Sequence, residues 1–376
     1  MALTLVATGC SGWNAASGPG TAPPTAPAAT TPTTVATPPA GPGPGSVTRA
    51  CAAPQDGGAF SSVTRLVARP SGVWAALPAD DPGVSPVLVG TGDGGATWRA
   101  HCLGGPAVAE SVFFADDAHG WAAVNQGAAG RLLFTSDGGA TWAAGRLPDG
   151  GALVHDVSFL DARRGWAVGD GPDGAPVLLA SVDGGRRWSA ANAPAVTPPA
   201  MVRFVDPRHG WVADAGRHVA STVDGGATWT VSALTGEDSE FLRDMAFADR
   251  QHGWAVTAAA DDGSGSAWAT SDGGRTWTRA HRFPHGVADV AALGGGRVAV
   301  TGGLPVVVET SEDGGTAWSR RVLPAAFTDA GVLDQSTIWA FSATADRAGC
   351  LYGTGDGGRT WRAYAAGGPS CPPVDT

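Results

Sequence analysis

Lysine is absent from this chain, and glutamate occurs only five times, as Glu110, Glu237, Glu240, Glu309 and Glu312. All 24 basic residues are therefore arginine, set against 34 acidic ones, for a net charge near −10. That balance excludes a phosphate-binding surface, so nucleic acid is not an expected partner. No apolar run is long enough to cross a bilayer as a helix. Between Phe60 and Tyr364 no sustained helical period of apolar residues appears, and strong helix formers are scarce beside 57 glycines. Long helices are thereby excluded, and an all-β protein is expected. Tyrosine is limited to Tyr352 and Tyr364.

What is abundant is a repeat. An eight-residue phrase, [S/T]-x-D-G-G-x-x-W, occurs seven times at spacings of 41 to 48 residues, ending at Trp98, Trp142, Trp188, Trp229, Trp277, Trp318 and Trp361. Its aspartates are Asp93, Asp137, Asp183, Asp224, Asp272, Asp313 and Asp356. Each copy reads as a tight hairpin turn. The Asp closes the turn on backbone N–H groups just ahead, and Gly-Gly supplies the positive φ angles that other residues resist. The Trp then opens a strand and is large enough to wedge between neighbouring sheets. These seven aspartates are accordingly expected to be structural.

A second phrase precedes the box. It is clearest in Phe113 to Val124, Phe159 to Gly169, Phe204 to Asp214 and Phe247 to Thr257: strand, short polar turn ending in Gly-Trp, strand. Degenerate copies end at Trp74 and Trp339, and Arg297-Val298 stands where the sixth repeat should carry Gly-Trp. His119, His209 and His252 recur in this turn, but each belongs to a different repeat. Distinct blades would hold them apart, so a turn role is expected and no metal site. The two phrases consume thirteen of the fifteen tryptophans, leaving Trp13 and Trp268. Little aromatic surface remains for a sugar platform.

Two hairpins per repeat make four strands, and seven repeats make a seven-bladed β-propeller of four-stranded antiparallel blades, spanning residues 47–371. Blade one is expected at about 59–105, with later blades ending near 147, 193, 235, 285, 325 and 367. Ser46 to Ala53 offers an extra strand for closing the ring. Cys51, Cys102, Cys350 and Cys371 form an even set near the two ends and are disulfide candidates, which fits an oxidising compartment. Three pairings are possible. Cys51–Cys102 with Cys350–Cys371 is favoured because each bridge stays within a terminal blade, whereas Cys51–Cys371 would latch the ring.

The first ten residues, Met1 to Cys10, end in Ala-Thr-Gly-Cys after a short apolar stretch. They resemble a bacterial lipoprotein signal, which implies lipidation of Cys10. Residues 11–46 are rich in Pro, Thr, Ala and Gly, a composition that reads as a disordered tether, and 372–376 form a short tail. The expected location is extracytoplasmic: a membrane-anchored lipoprotein or a secreted protein.

The boxes match the Asp-box, or bacterial neuraminidase, repeat. Together with the Phe…Gly-Trp phrase, over roughly residues 59–367, the pattern resembles seven-bladed propellers of the photosystem II assembly and stability factor type. That resemblance implies a non-enzymatic binding or assembly-assisting module. Sialidases and xyloglucan-cleaving endoglucanases share the repeat, so a glycoside hydrolase is the alternative. A sialidase would need a Tyr–Glu couple and three substrate-gripping arginines, and a chain with two tyrosines in its last blade offers no good match. An endoglucanase of that family normally uses two propellers.

Alignment of the repeats on the Gly-Trp turn puts Asp156 and Asp244 at one position near the start of the innermost strand. Asp289 and Asp329 fall there with one residue of slack. Four carboxylates at a channel mouth would form a negative ring able to attract a cation or a basic peptide; alternatively each caps its own strand. The expected protein is a monomer without a cofactor, attached to the membrane only through its lipid. Its partner would be an envelope protein or glycan.

Overall fold

The structure, a computed structural model, describes residues 49–50 and 65–365, apart from 70–71, 77, 80–87, 94–96, 104–105, 150, 236–239, 261–262, 326, 328, 335 and 343–349. Cys10, the 11–46 tether, Cys51, Cys371 and the 372–376 tail lie outside the described residues. All that follows concerns the unit Pro42–Thr376.

Every regular element described is a strand, and the strands form seven antiparallel sheets. Blade three shows the pattern: Leu153–Phe159, Gly165–Asp170, Pro176–Ser181 and Ser189–Ala191 pair in chain order. Blades four to seven repeat it, starting with the inner strands Pro199–Phe204, Glu240–Phe247, Asp289–Gly294 and Asp329–Val332. Blades one and two begin with Arg65–Arg69 and Ala107–Phe114, and each gains a fifth strand. Inner strands pack on their neighbours around a ring, and the seventh returns to the first.

Closure differs from the terminal pairing anticipated for Ser46 to Ala53. Of that segment, Arg49–Ala50 pairs with Arg99–Cys102 on the outer edge of blade one, while blade seven supplies all four of its own strands. The seam is closed by side chains: Leu66, Val73, Ala75, Val89 and Ala100 pack against Trp339, Phe341 and Leu351. Cys102 and Cys350, both buried, are each held in a disulfide.

The Asp box earns its residues locally. In the second copy, Thr135 Oγ1 donates to Asp137 Oδ1 at 2.7 Å and accepts the Gly139 N–H at 2.9 Å. The Thr141 N–H and hydroxyl donate to the same carboxylate at 2.9 and 2.7 Å. Gly138 and Gly139 take φ of 68° and 85°, a region that a side chain would strain. Each of the other six aspartates accepts the equivalent backbone N–H four residues ahead. Hydrogen bonding from Thr228 and Thr222 holds the Asp224 carboxyl at about 2.

The two phrases recur together because they touch. In six blades the first box glycine donates its N–H to a carbonyl of the preceding turn: Gly138 to Ala118, Gly184 to Arg163, Gly225 to Arg208, Gly273 to Gln251, Gly314 to Gly296 and Gly357 to Ser336. Boxes and Gly-Trp turns therefore share one face of the propeller. His119, His209 and His252 each place Nδ1 within 3.0 Å of the aspartate three residues earlier, Asp116, Asp206 and Asp249, inside their own turns.

The glycine of Gly-Trp is required for space. A Cβ at Gly165, Gly210 or Gly253 would stand 2.4, 2.3 or 2.2 Å from the ring of Phe159, Phe204 or Phe247. Each of those rings then stacks on the tryptophan of the preceding blade: Phe159 on Trp121 at 3.5 Å, Phe204 on Trp166 at 3.7 Å and Phe247 on Trp211 at 3.5 Å, all within 6° of parallel. Phe, Gly and Trp thus form one packing unit that joins blades.

Candidate functional site at the channel mouth

Strand pairing defines a ring position: the inner-strand residue opposite the second residue after the Gly-Trp tryptophan. Asp156 holds it in blade three, opposite Val168, Asp244 in blade five, opposite Val256, and Asp329 in blade seven, opposite Phe341. In blades one, two and four the occupants are Arg65, Ser111 and Met201. In blade six it is Val290, and Asp289 stands one residue earlier.

The structure does bring three of the four aspartates together, but on arginine. Arg203, from the inner strand of blade four, bonds Asp156 through Nη1 and Asp244 Oδ1 through Nη2 at 3.0 Å. Its Nε donates to the Met245 carbonyl at 3.2 Å. Arg65 lies 3.3 Å from Asp244 and 3.5 Å from Asp289. The carboxylates also staple the blades. Asp156 accepts the Val202 N–H at 3.0 Å and the Ser111 hydroxyl at 2.6 Å, and Asp244 accepts the Val290 N–H at 3.2 Å. Asp329 alone shows the local capping pattern, accepting from the Ala330 N–H at 2.8 Å. The expected open negative ring is thus a largely buried ion-pair network. Sequence reasoning missed both arginines; Arg65 was findable, because counting ten residues back from the other tryptophans, and nine from Trp74, lands on the same position.

The four carboxyls face different fields. Burial opposes the charge of Asp244, but Arg65 and Arg203 outweigh it and hold its carboxyl well below the usual range. Burial and the negative charge of Asp244 push Asp289 up. Burial pushes Asp329 up to about 6. On Arg65, burial works against the charge, and Asp244, Asp289 and Asp156 more than restore it.

Asp329 supplies a signed prediction. Its folded-state value exceeds the unfolded one, so its favourable contribution is complete below pH about 4 and is lost as pH rises through about 6. Asp329→Asn, which mimics the protonated form, should raise stability at pH 8 by up to about 3 kcal/mol, the equivalent of two pK units. The gain should vanish at pH 4. Denaturant melts of both proteins across that range check it; a gain independent of pH would refute the assignment.

Above this network the inner strands carry a second repeated feature. The register skips one residue at the same place in blades two to five, leaving Glu110, His155, Ala200 and Arg243 unpaired. A bulge re-aims the extra side chain. All four line one cavity of about 460 Å³, together with Arg65, Ser111, Asp156, Asp170 and Pro198–Pro199. His155 Nε2 meets Asp170 at 2.9 Å on its wall. A second cavity of about 200 Å³ shares Arg65, Ser111 and Asp156 and reaches Arg203 and Asp289, so residues of the network line both cavities. The mouth lies at the starts of the inner strands, on the face opposite the Asp boxes. Among the described residues no cluster of His, Cys, Asp or Glu is arranged to hold a metal ion.

Comparison with known proteins gives the arrangement relatives. Residues 238–368 match the family model described as photosynthesis system II assembly factor YCF48. The photosystem II assembly lipoprotein Ycf48 of Synechococcus sp. (strain CC9902) is 30% identical over 143 residues, 37% of this chain. The match spans 41% of that relative's length. A solved structure of YCF48 bound to D1 peptide superposes with a TM-score of 0.50 at 23% identity, covering 68% of this chain and 83% of that one. A Niastella koreensis GH74 enzyme superposes at 0.52 with 13% identity, covering 84% of this chain and 67% of that one. At such identities the two structures attest the fold. The chain is an Asp-box-repeat propeller similar to the photosystem II assembly factor.

Proposed function

We propose that this protein is a non-catalytic, lipid-anchored propeller that binds a peptide segment of a partner protein at the channel mouth and assists its assembly. The observation that carries the reading is the set of four aligned bulges. A register skip repeated in consecutive blades costs ladder hydrogen bonds each time, and here each skip delivers a side chain to one 460 Å³ cavity. The cavity combines Arg65 and Arg243 with Glu110, Asp170 and His155. Such mixed charge suits a peptide, with its carbonyls, amides and side chains of both signs, better than a single ion. The relative with a bound D1 peptide and the assembly-factor family model support the same class of function. Extracytoplasmic anchoring through Cys10 is supported by the signal-like N-terminus and by a relative named a lipoprotein.

The hydrolase alternative has no comparable support. Tyr352 is fully buried against Phe327, Tyr364 leans on Trp339, and the best-placed aspartates are committed to arginine.

The test is site-specific photocrosslinking in cells. A benzophenone side chain at Ala200, inside the cavity, should trap a discrete protein, while one at Arg186, on the Asp-box face, should not. Arg243→Glu should reduce the adduct several-fold. Identical products from both positions, or none from Ala200, would overturn the reading.

A further inference from the structure

Outside the four bulges, the lip of the mouth carries a third repeated position. Three residues before Ser111, Asp156, Met201 and Asp244 stand Val108, Leu153, Pro198 and Phe241, one in each of blades two to five. All four are apolar and none is buried: Val108 is 36% and Phe241 46% exposed, Pro198 is exposed and Leu153 half-buried. Blade six has no skip at this place, and its equivalent, Val287, is buried. An apolar arc at the lip therefore accompanies the bulges blade for blade. Among the described residues Phe241 is also the one aromatic in the set of exposed large apolar side chains. Exposed apolar side chains gathered beside a cavity mark an interaction site rather than a lip that meets only water.

The charges beside the arc are sorted as well. Asp156 and Asp244 are held by Arg203, Arg65 by Asp244 and Asp289, and Asp170 meets His155. Arg243 is exposed and has no hydrogen-bond or ion-pair partner among the described residues. It stands two residues from Phe241 on the strand Glu240–Phe247. That stretch is pinned to blade four, because the Leu242 N–H between them donates to the Gly216 carbonyl at 2.7 Å. A free guanidinium beside an exposed ring on a fixed strand is a preorganised site for a carboxylate next to an apolar group. The opposite charge, Glu110, accepts from Asn125 at 3.3 Å and belongs to blade two, at the far end of the arc.

We propose that the partner segment bound at the mouth is extended and carries an apolar and an acidic residue two positions apart, the apolar side chain on Phe241 and the carboxylate on Arg243. The spacing follows from strand geometry. In an extended chain side chains two apart point the same way and are separated by about 6.6 Å, about the step from Phe241 to Arg243 along their own strand. The sign follows from the one uncommitted cation of this strand start, since the charge of Asp244 is already answered by Arg65 and Arg203. Val108, Leu153 and Pro198 offer further apolar contact along the lip. The inference rests on the mouth being a peptide site and specifies which peptide it takes.

The test is binding of the purified full-length protein to immobilised nine-residue peptides on a serine–glycine background, carrying Leu-Ser-Asp, Leu-Ser-Asn, Leu-Ser-Lys, Ser-Ser-Asp or Leu-Asp at the centre. Leu-Ser-Asp should bind several-fold tighter than each of the others. Arg243→Glu should reverse the order of Leu-Ser-Asp and Leu-Ser-Lys, and Phe241→Ser should bring Leu-Ser-Asp down to the level of Ser-Ser-Asp. Both side chains are exposed, and denaturant melts that match the wild type report that the variants are folded. Ala200→Trp, which fills the cavity, separates the two readings. Peptide binding that it abolishes, but that shows no apolar or acidic preference, overturns this inference and leaves the mouth site standing. A preference that the Phe241 and Arg243 variants leave unchanged does the same. Binding of none of the peptides also overturns it, and the crosslink from Ala200 then decides the mouth reading on its own.

Discussion

Replacing Arg203 with methionine is expected to destabilise the propeller by about 3–5 kcal/mol, the usual consequence of removing one partner from a buried ion pair. The guanidinium serves two carboxylates from different blades. Asp156 is 4% exposed and Asp244 1% exposed. After the substitution Asp156 keeps the Ser111 hydroxyl and the Val202 N–H but loses its ion pair, and Asp244 keeps Arg65 and the Val290 N–H. Methionine matches much of the arginine stem, so the loss reports on charge rather than on volume. A second change, Asp156→Asn, removes the stranded charge and should recover part of the loss; the two substitutions should be clearly non-additive. Denaturant unfolding of both single variants and the double variant is the measurement. A cost below about 1 kcal/mol, the value of an exposed pair, would show that the network is solvated. The network also rules out the simplest binding test, neutralising the aspartates together, because Asp156 and Asp244 bind the ring to itself.

Trp211→Ala should cost a similar amount, about 3–5 kcal/mol, as large-to-small changes at buried aromatics do. Trp211 is 1% exposed, stacks on Phe247 at 3.5 Å and donates its N–H to the Gly273 carbonyl at 2.8 Å. The ring therefore joins blade four to both phrases of blade five at once. Trp254→Ala makes the internal control. Among the described residues that indole, 6% exposed, meets only the Trp318 ring, edge-on, and has no stacked ring, so its loss should be smaller by at least about 1 kcal/mol, because fewer packed atoms are forfeited. Equal costs at the two positions would mean that the stacked phenylalanine contributes little. Parallel denaturant melts of the two variants decide it.

Much of the architecture was legible because its causes are local. Asp137 closes its turn on Thr135 and Thr141, and Thr135 takes the Gly139 N–H, with no bond spanning more than four residues, so the phrase can be read without knowing what surrounds it. The same holds for His119, His209 and His252, which meet an aspartate three residues away. The glycine of Gly-Trp was only half legible. Its place at the end of a turn is visible in the sequence, but its cause is the Phe ring brought over it by the hairpin.

The candidate site was less legible, for a geometric reason. Asp156 and Asp244 could be aligned by counting from the tryptophans, yet their partner Arg203 lies 47 and 41 residues away on the strand between them. Nothing in its own neighbourhood marks it. The bulged residues Glu110, His155, Ala200 and Arg243 share no residue type, so no motif announces them. Only strand pairing shows that each is the skipped residue of its blade.

The sequence by itself determined the strand content, the number of blades and the role of the seven box aspartates, since short-range hydrogen bonds and glycine's backbone freedom are encoded within each repeat. Tertiary structure alone decided how the seam closes, that the inner carboxylates are buried against Arg65 and Arg203, and where two cavities open. Those outcomes depend on which side chains adjacent blades present to one another, and that is set by the closure of the ring rather than by any one repeat.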